Sequence, residues 1–164
     1  MTIDRDALRA FVEEVGADLA DTLPPMAGRV MAALLVSVSA EMSLEQLADL
    51  LRASRGAMSM ATQTLLRLGI VQKVRRPPDR RSYFRLRPNL WSELYLESLE
   101  HYQTHVRNAE QGLALLAEEP LETKARLIEM SAFFRFIVRG LPEFIARWRE
   151  EGPQLIEDLC EEHR

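Results

Sequence analysis

Apolar residues recur at helical spacing along the first part of the chain. Leu8, Phe11, Val12, Val15 and Leu19 predict a helix from Asp4 to about Ala20. Thr22-Leu23-Pro24-Pro25 breaks it, and Pro25 suits the first turn of a second helix that continues through Val30, Met31, Leu34 and Leu35 to about Val38. Ser43-Leu44-Glu45-Gln46 has the form of a capping box, in which the serine hydroxyl and the glutamine amide satisfy free backbone donors, and it predicts a short helix to about Leu51. Ser54 caps another over 55 to 68, with Ala57, Met58, Ala61, Leu65 and Leu68 facing inward and Gly69 as its stop. The period then changes from helical to alternating. Ile70, Val71 and Val74, the turn Arg76-Pro77-Pro78-Asp79-Arg80, and Tyr83, Phe84 and Leu86 predict a two-stranded hairpin. Two short helices joined by a few residues form a helix-turn-helix, and the hairpin beside them is its wing.

Pro88-Asn89-Leu90 opens a long helix to about Ala117, with Asn89 as a candidate cap. At 1.5 Å per residue it spans about 42 Å, more than a small domain needs, so its apolar face calls for a partner. Glu119-Pro120 ends it, a further helix covers 121 to 139, and Gly140-Leu141-Pro142 starts a last one interrupted at Gly152-Pro153. The fold class is mainly α. An N-terminal helix (1–22) and a helical C-terminal region (89–164) serve dimerisation around a winged helix-turn-helix at 23–88.

The 164 residues are 47% hydrophobic and 28% charged, the balance of a globular chain with a real core. One cysteine, Cys160, makes an intrachain disulfide impossible, no apolar run approaches the roughly 18 residues of a membrane span, and the acidic start is unlike a signal peptide. The expectation is a cytoplasmic protein. Acidic neighbours of Cys160 disfavour a thiolate, and with it a redox role. The net charge of -4 hides an uneven distribution. Residues 52–87 hold ten arginines and lysines against Asp79 alone, a net +9 on a body carrying -13. A basic segment on an acidic body is what a protein presents to phosphates. A solvated face mixes both signs, and a winged helix used only for protein contacts, the alternative function, has no need of this charge. An enzyme is disfavoured by the lack of a phosphate-binding glycine loop, of G-x-S-x-G, and of a clustered histidine and carboxylate set.

Ala27-Gly28-Arg29, Ser54-Arg55-Gly56-Ala57-Met58-Ser59-Met60, Leu68-Gly69-Ile70-Val71 and Asp79-Arg80-Arg81, in this order and spacing, resemble the DNA-binding region of MarR-type regulators, and specifically the GbsR-like branch. The resemblance covers about 65 of the 164 residues; the helices after Leu90 match only in general pattern. It implies a homodimeric regulator of transcription, with the second helix of the motif in the major groove and the wing near the minor groove; the expected action is that of a repressor, although the sequence does not separate repression from activation. A two-fold dimer implies an inverted-repeat operator on double-stranded DNA, with half-sites about 10 bp apart or a near multiple.

On the second helix Ser54, Arg55, Ser59, Gln63 and Arg67 form the outward polar set with Met60 and Thr64 beside them, Arg55 suited to guanine and Gln63 to adenine. Gly56 permits close backbone approach at the helix start, where a phosphate is favoured. Lys73 and Arg75 on the wing are expected on phosphate. Similarity to MarR-type wings favours Arg81 in the minor groove, Arg80 on phosphate, and Asp79 orienting an arginine or the turn. The aromatics after residue 90 read first as core, with a small-molecule effector pocket near Trp91 and Tyr95 as the alternative implied by family likeness. Glu97, His101 and His105 share one face of the long helix at i, i+4 and i+8, but no cysteine or further histidine lies near in sequence to complete a site. They read as a polar rim or dimer contact, and no metal or cofactor is expected.

Overall fold

The computed structural model describes residues 4–164; the first three residues of the N-terminal segment lie outside the described residues. Helix α1 (Arg5–Asp18) begins on Asp4, whose carboxylate accepts from the backbone N–H groups of Asp6 and Ala7, and a 3-10 turn (Leu19–Asp21) ends it. Helix α2 (Pro25–Leu35) starts with proline at its first position, where no N–H is needed. It stops short of Val38, because the seryl side chains beyond it turn the chain: Ser39 Oγ donates to the Glu41 carbonyl, and Ala40 is left-handed with φ 56°. Strand β1 (Met42–Ser43) leads into α3 (Leu44–Leu51). The capping box forms, with Gln46 N donating to Ser43 Oγ at 3.2 Å and Ser43 N donating to Gln46 Oε1 at 2.8 Å.

Helix α4 (Arg55–Arg67) is capped by Ser54, whose Oγ accepts from Ala57 N at 3.1 Å, and Gly69 takes the left-handed φ of 66° that a side chain would disfavour. Strands β2 (Val71–Arg75) and β3 (Ser82–Leu86) form the wing, pairing antiparallel with Val71 opposite Leu86 and Lys73 opposite Phe84. The sheet has three strands and not the expected two: β1 adds to β3, Met42 opposite Phe84, giving the order β1-β3-β2. Two residues cannot show an alternating pattern, so only the free edge of β3 defines this strand.

The chain divides into two compact units at Leu90 and Trp91. In the first, Val12, Val30, Met31, Leu47, Met58, Leu65 and Phe84 form the core. Helices α1 and α2 approach closely at a pair of glycines. A Cβ on Gly16 would lie 2.9 Å from Arg29 Cγ, and one on Gly28 would lie 3.0 Å from the Gly16 carbonyl oxygen. The same close approach lets Arg9 Nε donate to the Leu50 carbonyl at 3.0 Å and Arg29 Nη2 to the Leu51 carbonyl at 3.3 Å, so cations from two helices satisfy the last turn of α3. Gly28→Leu should force α1 and α2 apart and cost about 1 to 3 kcal/mol, read as a lowered urea midpoint. An unchanged midpoint would show that the crossing is loose.

The second unit is a helical hairpin. Helix α5 (Leu90–Leu115) runs antiparallel to α6 (Leu121–Glu162): Gly112 faces Leu127, His105 stacks on Phe134, and Arg149 reaches Glu93. The sequence predicts a break at 140–142 and another at 152–153, but α6 is one helix through both Pro142 and Pro153. Proline removes its own donor yet leaves neighbouring residues able to continue the ladder. Here Leu141, Ile145 and Trp148 carry the apolar pattern across. Gly152 is a packing space and not a stop, since a Cβ there would meet the Trp148 ring at 2.9 Å.

Candidate nucleic-acid interface

Helix α4 is set by its buried face. Met58, Ala61, Thr62 and Leu65 pack inward, and the Thr62 hydroxyl donates to the Met58 carbonyl at 2.8 Å. Leu68, expected inside, is exposed at the helix end, where the chain turns at Gly69. The opposite face presents Arg55, Gly56, Met60, Gln63 and Arg67 to solvent. Ser59 and Thr64 are half-buried at its margin, Thr64 accepting from Arg67 Nη2 at 3.4 Å. The Ser54 hydroxyl is engaged in capping. No acidic residue lies on this helix.

The wing tip is a network built on Asp79. Its carboxylate accepts from the Arg81 backbone N–H at 2.9 Å, from Arg81 Nη2 at 2.7 Å, and from the Tyr83 hydroxyl at 2.8 Å. The Arg81 guanidinium, then its backbone N–H, then the Tyr83 hydroxyl hold the Asp79 carboxyl far below the usual carboxylate range. Its hydrogen bond to Asp79 likewise pushes the Tyr83 hydroxyl up. A lowered carboxylate keeps its charge until the pH falls through the lowered value, so the tie persists through neutral and mildly acidic conditions. The buried Tyr83 ring also lies under two cations, 5.1 Å from Arg76 and 5.7 Å from Arg81. Lys73, Arg75 and Arg80 are exposed.

Three participants gave no sequence signal. Glu41, just before β1, accepts from Arg76 Nε at 2.7 Å, and Glu45 accepts from Arg55 Nη2 at 2.6 Å. Tyr83, a core residue by pattern, supports the tip. The Glu45 backbone N–H, then the Ser43 hydroxyl and the charges of Arg55 and Arg81, hold the Glu45 carboxyl below its ordinary value. The first two pairs join residues 35 and 10 positions apart, beyond the reach of any local periodicity.

Trp91 and Tyr95 stand one turn apart on α5, 55% and 56% exposed. A cavity of about 660 Å³ lies elsewhere, in the first unit, against Leu8, Arg9, Val36, Met42, Gln46 and Leu50. On α5 the ring nitrogens of His101 and His105 meet at 3.0 Å, and His105 stacks on Phe134 with centroids 4.3 Å apart. Glu97 is exposed one turn before them, and no group of three or more metal-binding side chains occurs among the described residues. Cys160 is exposed near the end of α6. Among the described residues no helix is long and apolar enough to cross a membrane.

Residues 89–151 match the family model described as MmpR5-like MarR family transcriptional regulator. That match falls on the helices where the sequence shows only a general pattern, and so complements the motifs of the first unit. The chain is 30% identical over 141 residues to the HTH-type transcriptional regulator MmpR5 of Mycobacterium tuberculosis, covering 85% of this chain and 86% of that protein. A crystal structure of a transcriptional regulator superposes with a TM-score of 0.72 at 30% identity, covering 88% of this chain and 99% of the other. The relatives are regulators and not enzymes. With a winged helix in its first unit and a relative of this identity along most of its length, the chain belongs to the MarR family of transcriptional regulators, in its MmpR5-like group.

Proposed function

We propose that this regulator binds an inverted-repeat operator in double-stranded DNA as a homodimer in the cytoplasm, and that it represses. The observation that carries the reading is the exposed face of α4, which presents Arg55, Gln63 and Arg67 with no acidic residue on the helix, together with a wing that exposes Lys73, Arg75, Arg80 and Arg81. On that surface α4 supplies base contacts from Arg55 and Gln63, with Ser59, Met60, Thr64 and Arg67 alongside, while Ser54 and Gly56 bring its N-terminus to a phosphate. Lys73, Arg75 and Arg80 serve phosphates. Arg81, oriented by Asp79, enters the minor groove. The likeness to GbsR-like regulators rests on Ala27-Gly28-Arg29 and the α4 and wing motifs, and Arg29 holds the end of α3 here. Trp91 and Tyr95, exposed at the start of α5, remain the surface proposed for a small-molecule effector.

Electrophoretic shift titrations of wild type and variants test this. Arg55→Ala and Gln63→Ala should each cost about 1 to 3 kcal/mol on the operator and much less on random duplex. Arg81→Ala should lose more when flanks are A·T-rich than when they are G·C-rich. Equal losses on operator and random DNA for the α4 variants would overturn their role as base readers.

Dimerisation is supported by α6, 42 residues and about 63 Å long, along which Phe133, Phe136, Phe144, Leu155, Ile156 and Leu159 are exposed. A face of this kind is an interface signature. Sedimentation at micromolar concentration should give a two-chain species; a stable monomer would refute the pairing of the N-terminal helix and residues 89–164.

A further inference from the structure

We infer that Glu45 gates the DNA-binding face, holding Arg55 until a duplex offers it a stronger partner. This rests on the reading of α4 as the base-contacting helix. Glu45 is the second residue of α3, a helix start secured by the Ser43 and Gln46 capping box. Its own backbone N–H, followed by the Ser43 hydroxyl, Arg55 and Arg81, lowers the carboxyl below its ordinary value, so it is charged at any working pH. The position matters twice. A helix N-terminus beside a basic surface would welcome a DNA phosphate, and a carboxylate there turns the phosphate away. The same carboxylate holds Arg55 Nη2 at 2.6 Å.

The pair is built to exchange. The Arg55 side chain is 72% exposed and that of Glu45 38%, so the guanidinium can leave without disturbing the core. An exposed ion pair shifts an equilibrium by only a few-fold, whereas a bidentate arginine–guanine contact is worth roughly ten- to a hundredfold. Guanine therefore wins Arg55 from Glu45. A lone phosphate offers no such margin, and on release Glu45 faces the duplex with its charge uncompensated. The other acids near the surface are committed differently: Asp79 is saturated by Arg81 and Tyr83, and Glu41 holds Arg76 at the start of the wing turn.

The test uses the full chain and two duplexes, an operator selected from a random pool and a random-sequence duplex, each titrated at several salt concentrations. Glu45→Gln keeps the side chain's shape and removes its charge. It should bind random duplex about three- to tenfold tighter, with a salt dependence steeper by up to about one unit, and gain at least as much on the operator, whose complex no longer has to break the ion pair. Glu45→Asp should keep most of the gate's effect. In an Arg55→Ala background the gain on Glu45→Gln should shrink, because no arginine remains to be released. Weaker operator binding by Glu45→Gln with random duplex unchanged would overturn the gate and make the carboxylate an orienting or cytosine-reading group. Indistinguishable binding by Glu45→Gln and wild type would also overturn it. A wild-type protein that binds neither duplex at low salt would instead bring down the DNA reading, and the gate with it.

Discussion

If the chain binds as the proposed dimer, raising monovalent salt from about 50 to about 200 mM should weaken its hold on duplex DNA by about a thousandfold. Phosphate contacts release condensed counterions, and each contributes a slope near 0.9 in the logarithmic plot. The sequence alone, with ten cations in residues 52–87, suggests a still steeper dependence. The structure reduces that number: Arg55, Arg76 and Arg81 are paired with Glu45, Glu41 and Asp79. Lys73, Arg75 and Arg80 stand exposed on the wing and Arg67 at the end of α4. About three such contacts from each of two subunits give a slope of about 5. Shift titrations on one duplex over this range measure it, and a slope below about 2 would show that the wing does not engage the backbone.

Leu65→Ala should destabilise the first unit by about 2 to 5 kcal/mol, while Met60→Ala on the same helix changes stability by less than about 0.5 kcal/mol. Leu65 is fully buried and its carbonyl accepts from Ile70 N, tying α4 to the start of β2, whereas Met60 is 73% exposed. Removing Leu65 leaves a cavity beneath the helix that carries Arg55 and Gln63, so operator binding should fall at temperatures where the native fold still dominates. Urea denaturation of the two variants checks the asymmetry. Comparable losses for both would mean that α4 does not present one face to the core and the other to solvent.

Much of the molecule was legible because its signals are local. The capping box at Ser43 and Gln46, the Ser54 cap and the left-handed Gly69 each act within a few residues, so sequence placed α3, α4 and their ends to within a residue or so. The change from helical to alternating period located the wing, and the uneven charge located the candidate surface before any coordinates. Likeness to MarR-type wings suggested Asp79 as a residue orienting an arginine or the turn, and in the structure its carboxylate accepts from Arg81.

What tertiary structure decided involves residues far apart in the chain or rules that packing overrides. Strand β1 exists because β3 offers an edge, and α6 continues through both Pro142 and Pro153 where the sequence predicts breaks. Glycines 16 and 28 are ordinary helix residues until α1 crosses α2. Glu41 and Glu45 belong to the acidic remainder in any sequence count, yet folding sets them against Arg76 and Arg55. Periodicity and capping are local properties and are carried by neighbouring side chains. Which charges meet across a surface depends on how the elements pack, and that pairing decides which arginines of the basic segment stand free and which are held.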